Sequence, residues 1–292
     1  MKKHILKKLA IALTMMTCLS VPVTAFADTH GEYPSGEILS FGANLSDSQE
    51  AELRKYFGVS EDMKAIYVDN KVAAKQLGFS IDQVSTGGWY SSAYVKLNSK
   101  ETGVTVKTEK LTVVTNDMLA NALITSGIYN ADVTASAPFD VTGESALAGI
   151  LAGAEQIMGG ELKTENKQAA QEEINVSMDL ADDIGGTKAA SLINDVKTKV
   201  IKDKPKSDKD ISKIIDDASK KYDINLSEEN KQELISLMNK IKDLDIDYSA
   251  IKNALSEAAD KFKQELGDLK DSGFFDRLFS WIKDIFDSIF NR

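Results

Sequence analysis

Residues 104–158 read VTVKTEKLTVVTNDMLANALITSGIYNADVTASAPFDVTGESALAGILAGAEQIM, the densest apolar patterning in the chain. Val104 to Val114 alternates strong β-formers with polar residues, which predicts one long strand or two short ones. Thr115-Asn116-Asp117 is a helix start, with an acid in the first turn where the helix dipole favours it. Met118, Leu119, Ala122 and Leu123 recur at helical spacing until Gly127 stops the helix. Ile128 to Phe139 is again rich in β-branched and small residues, with Pro138 near its end. Asp140-Val141-Thr142-Gly143 then turns the chain into a second helix. On that helix Ala146, Leu147, Ile150, Leu151, Ala154, Ile157 and Met158 form a broad apolar face. Ala148, Gly149, Ala152 and Gly153 form a second face of small residues. Gly149-x-x-x-Gly153 has the spacing of a membrane dimer motif, but the segment is not a membrane span, so the small face predicts tight packing of helix on sheet.

Working outward, the N-terminal side supplies the rest of an α+β or α/β unit. Ile38 to Leu45 is a short apolar stretch, and Ser46-Asp47-Ser48 caps a helix that runs to about Phe57 and ends at Gly58. Lys71 to Leu77 is a short helix stopped by Gly78. The predicted mixed sheet uses Ala65–Val68, Ser92–Leu97, Val104–Val114 and Ile128–Ala137. The helices Asp117–Ser126 and Glu144–Met158 pack on it. On the C-terminal side, Glu165–Ala181 and Thr187–Ile201 are helical. Lys202 to Asp210 (KDKPKSDKD) is charged, contains Pro205 and reads as a linker. Beyond it glycine almost disappears. Helices carrying Ile211, Ile214, Ile215 and Ala218, then Leu234 to Leu244, then Ile251 to Leu269, predict a bundle or coiled coil.

The first 27 residues read as an export signal: a basic start (Lys2, Lys3, Lys7, Lys8), an apolar run from Leu9 to Val23, and Ala25-Phe26-Ala27 as the cleavage site. The one cysteine, Cys18, falls inside this signal, and Met15-Met16-Thr17 before it is a poor lipobox. The predicted organisation is a signal peptide at 1–27, a disordered leader at 28–37, an α/β domain at 38–201, a linker at 202–210 and a helical region at 211–292. Secretion or cell-surface location follows from that reading. The 265-residue mature chain has no cysteine, which excludes disulfides and thiolate chemistry. The net charge is −10. The signal carries four lysines and no acid, so the mature chain stands at −14, which opposes binding to nucleic acid.

Chemistry is scarce. After the signal the only histidine is His30, in the polar leader, so a Ser-His-Asp triad, a histidine zinc site and a histidine base have no material in the folded part. Paired carboxylates remain as an alternative, a secreted hydrolase, because glycoside cleavage needs only two acids. Most of the 45 acids sit in Lys/Asp/Glu-rich helices and read as solvated faces. Asp243-x-Asp245-x-Asp247 opens like a calcium loop. It then has Tyr248 where glycine is needed and Ala254 where a bidentate glutamate is needed, so these aspartates read as a helix start. The sequence nominates no catalytic residue, no metal site and no cofactor.

Two loops are candidates for facing a ligand. Gly87, Gly88, Trp89 and Tyr90, with Tyr94 nearby, could present an aromatic face to sugars or peptides; Thr142 and Gly143 open a helix whose N-terminus could hold an anion. Ordinary turns and packing are the plainer alternative for both. At the C-terminus, Phe275, Phe279, Trp281, Ile282 and Phe286 lie on the apolar side of an amphipathic helix, a candidate membrane or partner face. Its three aspartates balance two arginines and one lysine, so it lacks the basic face that anionic lipids attract, and packing on the helices before it or self-association competes with a membrane surface.

Two stretches carry a resemblance. SSAYVKL at Ser91–Leu97 and TSGIYNADVTASAPFDVTGESALAGI at Thr125–Ile150 resemble the YpuA-like family of exported Firmicute proteins, catalogued as a domain of unknown function. The similarity spans roughly Leu39 to Val200 and leaves the helices after Lys202 outside it. It implies a secreted or surface-associated protein of such a bacterium and carries over no site residues. The expectation is an exported, non-catalytic extracellular or cell-envelope binding protein whose helical tail meets a protein or envelope partner.

Overall fold

The computed structural model describes residues 33–78, 80, 88–143, 145–246, 248–249, 251–255 and 258. Gly87 and the tail residues Phe275, Phe279, Trp281, Ile282 and Phe286 lie outside them. The strands are β1 (Gly36–Gly42), β2 (Ala65–Val68), β3 (Ser92–Leu97), β4 (Val104–Thr108) and β5 (Ala131–Ser136), joined in one mixed sheet of order β2-β1-β3-β5-β4. The helices are α1 (Asp47–Phe57), α2 (Asn70–Leu77), α3 (Asn116–Ser126), α4 (Ala146–Met158), α5 (Thr164–Ile184), α6 (Gly186–Asp203), α7 (Asp208–Tyr222) and α8 (Glu228–Asp243). The architecture is α+β, a sheet near the N-terminus followed by packed helices.

Local sequence sets most of these boundaries. Ser46 closes a capping box with Gln49 at the start of α1, and Thr115, Ser207 and Ser227 each accept a backbone N–H at the start of α3, α7 and α8. Gly58 and Gly127 end α1 and α3 in the left-handed region. Two strand expectations need correction. β1 is absent from the predicted sheet, yet it lies between β2 and β3 and begins at Gly36, inside the stretch read as leader. Its Ile38, Leu39 and Phe41 are all buried because both faces of the sheet are covered there, so the alternation that marks a half-buried strand is missing. β4 ends at Thr108 rather than near Val114. Asn116 takes the Thr108 N–H and hydroxyl, Lys110 turns the chain at φ 60°, and Leu111 retains a single bridge to Val141.

The two faces of the sheet are unequal. Ile38, Val95, Val133 and Val106 share the face covered by α3 and α4; Leu39 and Phe41 point the other way, onto Leu53 of α1. The small face of α4 does what its composition predicts. A methyl on Gly149 would stand 2.5 Å from Ser40 Oγ, and one on Gly153 would stand 3.0 Å from Ile38, so only glycine lets α4 come this close. The units β1-α1-β2 and β4-α3-β5 are both parallel and step the same way across the sheet, but their helices lie on opposite faces. They are therefore of opposite hand, and one of them departs from the right-handed rule for such crossovers.

Beyond α3 lie α5 and α6, and α7 and α8 pack on these. The segment 202–210 is the end of α6, a turn, and the start of α7. Ile201, Ile211 and Ile215 belong to the same buried cluster as Val106 and Met118, so the core continues across it. Asp243 is the last residue of α8 rather than a helix start, and Asp245 pairs with Lys163 at 2.8 Å.

Inside this core sits an ion pair with no exposure on either side chain. Lys197 of α6 donates to Glu173 Oε1 of α5 at 2.6 Å, to Thr125 Oγ1 of α3 at 3.1 Å and to the Asn121 carbonyl at 2.9 Å. Thr125 in turn donates to Glu173 Oε2 at 2.5 Å, so every ammonium proton and both carboxylate oxygens are used. Burial pushes the Lys197 ammonium down from its ordinary value, and the Glu173 carboxylate pulls it back. Lower in the helical part, Tyr222 of α7 donates to Asp195 of α6. Burial raises the Asp195 carboxyl to about 7 against the opposing pull of that hydrogen bond and of Lys221 and Lys199.

Removing one partner of the inner pair strands a charge in a dry core, so Lys197→Met should cost about 3–5 kcal/mol in urea unfolding, whereas Lys197→Met with Glu173→Leu should recover most of that loss. The Asp195 carboxyl keeps its proton in the folded chain up to about pH 7 and loses it in the unfolded chain near 3.8, so stability falls as pH rises from about 4 to about 7. Asp195→Asn, which still accepts from Tyr222, should flatten this slope and exceed the wild type at pH 8 by about 2 kcal/mol, read from unfolding curves at pH 5 and pH 8.

Candidate functional site

β1, β2, β4 and β5 run in one direction and β3 runs against them. The C-terminal ends of four strands and the N-terminal end of β3 therefore share one edge of the sheet. Ligands of open sheets bind outside the carboxyl ends of the strands, where loops rather than ladders face solvent. Both candidate loops, Gly88–Tyr90 and Thr142–Gly143, are on this edge.

The rim begins where β1 ends. Trp89 N–H donates to Asn44 Oδ1 at 2.7 Å, and Asn44 N–H returns a bond to the Trp89 carbonyl at 3.1 Å. A methyl on Gly42 would fall 2.1 Å from that carbonyl, so glycine at the end of β1 is what admits the Trp89 backbone. The indole N–H of Trp89 donates to Asn70 Oδ1 at the first turn of α2, where Asp69 caps the helix through Lys71 and Val72 N–H at 2.9 Å. Trp89 and Tyr90 are half-buried. The Tyr90 ring meets Phe139, in the loop after β5, at 4.8 Å between centroids, and Phe139 is 45 % exposed. Aromatic rings held in this tilted geometry keep both an apolar surface and a defined orientation. Lys110 donates to the Pro138 carbonyl at 3.3 Å and closes the rim beside Phe139.

Thr142 and Gly143 have a different task. The Thr142 carbonyl accepts from Val113 and Val114 N–H, and the Val141 carbonyl accepts from Thr112. Gly143 is buried at φ 97°, and a methyl there would stand 3.0 Å from Leu111, so this loop is a clamp on the loop after β4. The side chain of Ser145 makes no cap bond at the start of α4. Tyr94, grouped with Trp89 and Tyr90 in the sequence, stands apart from the rim. It faces the α1 side of the sheet opposite Leu39, and burial together with a hydrogen bond to Glu37 raises its phenol to about 12. Tyr56 on α1 is raised to about 12 in the same way, by burial and then by Glu109.

Sequence reasoning missed Asn44, Asn70 and Phe139. The asparagines carry no spacing signal; Phe139, an aromatic between Pro138 and Asp140 in a turn, had one. Among the described residues, the buried acids Glu155 and Glu173 are each taken up by a lysine, Asp195 accepts from Tyr222, and no group of three or more His, Cys, Asp or Glu is placed to hold a metal ion. No helix of the described residues is long and apolar enough to cross a membrane.

With Trp281→Phe leaving Trp89 as the sole tryptophan, Gly42→Ala should shift the emission maximum of the native protein and cost about 1–3 kcal/mol, because the new methyl expels the Trp89 backbone. Gly58→Ala, which meets open space, serves as the control at which the emission stays put.

A family model described as a protein of unknown function (DUF1002) matches residues 41–258. The chain is 30 % identical over 291 residues to the uncharacterized protein YpuA of Bacillus subtilis (strain 168), covering 99 % of this chain and 98 % of that protein. No solved structure matches. The resemblance read over Leu39–Val200 thus extends past Lys202 and takes in the helices that follow. The chain belongs to the DUF1002 family of proteins of unknown function.

Proposed function

We propose that the protein is exported and works as a non-catalytic binding module at the cell surface or in the envelope. The observation that carries this reading is the rim on the carboxyl edge of the sheet. There Trp89, held by the side-chain amides of Asn44 and Asn70, and the Tyr90–Phe139 ring pair stand partly exposed. The basic start, apolar run and Ala25-Phe26-Ala27 of residues 1–27 support export. Glu155 and Glu173 each pair with a lysine inside the core, away from the rim and from any external substrate, which supports binding over a hydrolase built on them. The rim combines flat apolar rings with side-chain amides, a chemistry suited to a polymer such as a glycan. A second reading, attachment through the tail, is supported by the aromatic side formed by Phe275, Phe279, Trp281, Ile282 and Phe286.

One experiment separates the two. The purified mature chain is incubated with isolated envelopes of a low-GC Gram-positive bacterium and sedimented. If the rim binds, Trp89→Ala with Tyr90→Ala lowers the bound fraction at least tenfold while Phe279→Asp with Phe286→Asp leaves it unchanged. The opposite pattern transfers the function to the tail, and binding unchanged in both variants removes both readings.

A further inference from the structure

A second buried lysine differs from Lys197 in what it faces. Lys167 of α5 is 2 % exposed and donates to Glu155 Oε1 of α4 at 2.8 Å and to the side-chain carbonyl of Gln76 of α2 at 3.1 Å. Gln76, itself 3 % exposed, donates its amide N–H to the other oxygen of Glu155 at 2.7 Å. The Leu162 N–H steadies Glu155 Oε1 at 3.0 Å. One carboxylate therefore touches both an amine and the nitrogen of a primary amide, and the amine touches the amide's carbonyl oxygen. The C=O bond is about 1.23 Å, so Gln76 Cδ stands no more than about 4.3 Å from Lys167 Nζ, a small closure from attack distance. Lys197 donates to no side-chain amide: besides Glu173, its acceptors are a hydroxyl and a backbone carbonyl.

We propose that Lys167 and Gln76 become joined by an intramolecular isopeptide bond, with Glu155 as the catalytic carboxyl group. Transfer of one proton along the 2.8 Å Lys167–Glu155 hydrogen bond yields a neutral amine and a carboxylic acid. The Nζ lone pair attacks Gln76 Cδ and the C=O electrons move onto oxygen. Glu155 delivers its proton through Oε2 to Nε2 and takes one of the two protons left on the attacking nitrogen, the other staying as the N–H of the new amide. The carbonyl reforms, the Cδ–Nε2 bond breaks and ammonia leaves. A primary amide and an amine become a secondary amide and ammonia, with no oxidant, reductant or cofactor. The bond ties α2 to α5 across all the sequence from β3 to α4, and gives a chain without mature cysteines a covalent staple of the kind a disulfide would otherwise supply.

The test is the mass of the purified mature chain, followed by tryptic peptide mapping. The wild type should be lighter than its sequence by one ammonia and yield one branched peptide joining Gln76 and Lys167. Lys167→Arg and Glu155→Gln should have their full sequence masses and give separate peptides. The proposal is overturned if folded wild type, verified by circular dichroism, keeps its full mass after days at 37 °C. It is equally overturned if ammonia is lost while the two peptides stay separate, or if Glu155→Gln is linked as completely as the wild type.

Discussion

The Lys197–Glu173 pair constrains the whole molecule. A charge placed in an apolar core must find every partner it needs, because an uncompensated ion there costs more than most single contacts return. Lys197 finds its partners on two other helices at once: Glu173 on α5, Thr125 and Asn121 on α3. Apolar packing alone would tolerate several rotations of α5 and α6 over α3, since leucine, isoleucine and alanine make interchangeable contacts. The polar trio admits one. The Lys167–Glu155–Gln76 cluster does the same for α2, α4 and α5. Together the two clusters fix α5 against everything that lies between it and the sheet.

With α5 fixed, the candidate site becomes a rigid object. α4 is held on its glycine face against β1 and β3, and on its other side Glu155 anchors it to α2 and α5. The end of β1, the start of α2 and the approach to β3 are then set relative to one another, and these are the segments that carry Asn44, Asn70 and Trp89. Precise placement of a few side chains by a rigid scaffold is what recognition requires. The opposite hands of the two crossovers contribute here. With α1 on the far face, α2, α3 and α4 have the other face to themselves, and β1 is covered on both sides.

Much of the fold was legible in the sequence because its signals are local. Ser46 and Gly58 bracket α1, Thr115 and Gly127 bracket α3, and Ser227 opens α8, each by chemistry within one turn of the residue. Gly149 and Gly153 announced a close approach, and the approach is there. What could not be read depends on partners distant in sequence. Burial of β1 on both faces erased its alternation, and Lys110, unusual in a left-handed turn, shortened β4. The polar clusters were invisible for a plainer reason. Lys167, Glu173 and Lys197 look like any solvated residues of a charged helix until the fold shows them facing inward. Of the site, Trp89 and Tyr90 stood out as aromatics after a glycine pair, whereas Asn44 and Asn70 acquire meaning only beside the indole.

The arrangement also orders events during synthesis. A chain grows from its N-terminus, so Thr125 and Glu173 emerge before Lys197 does. Until that lysine arrives, closing α5 onto α3 would bury a carboxylate with nothing to neutralise it. Sealing the core early is therefore costly, and the native set of partners is complete only once Lys197 is in place. Premature collapse of an incomplete domain is disfavoured by one acid whose counter-ion lies 24 residues further on.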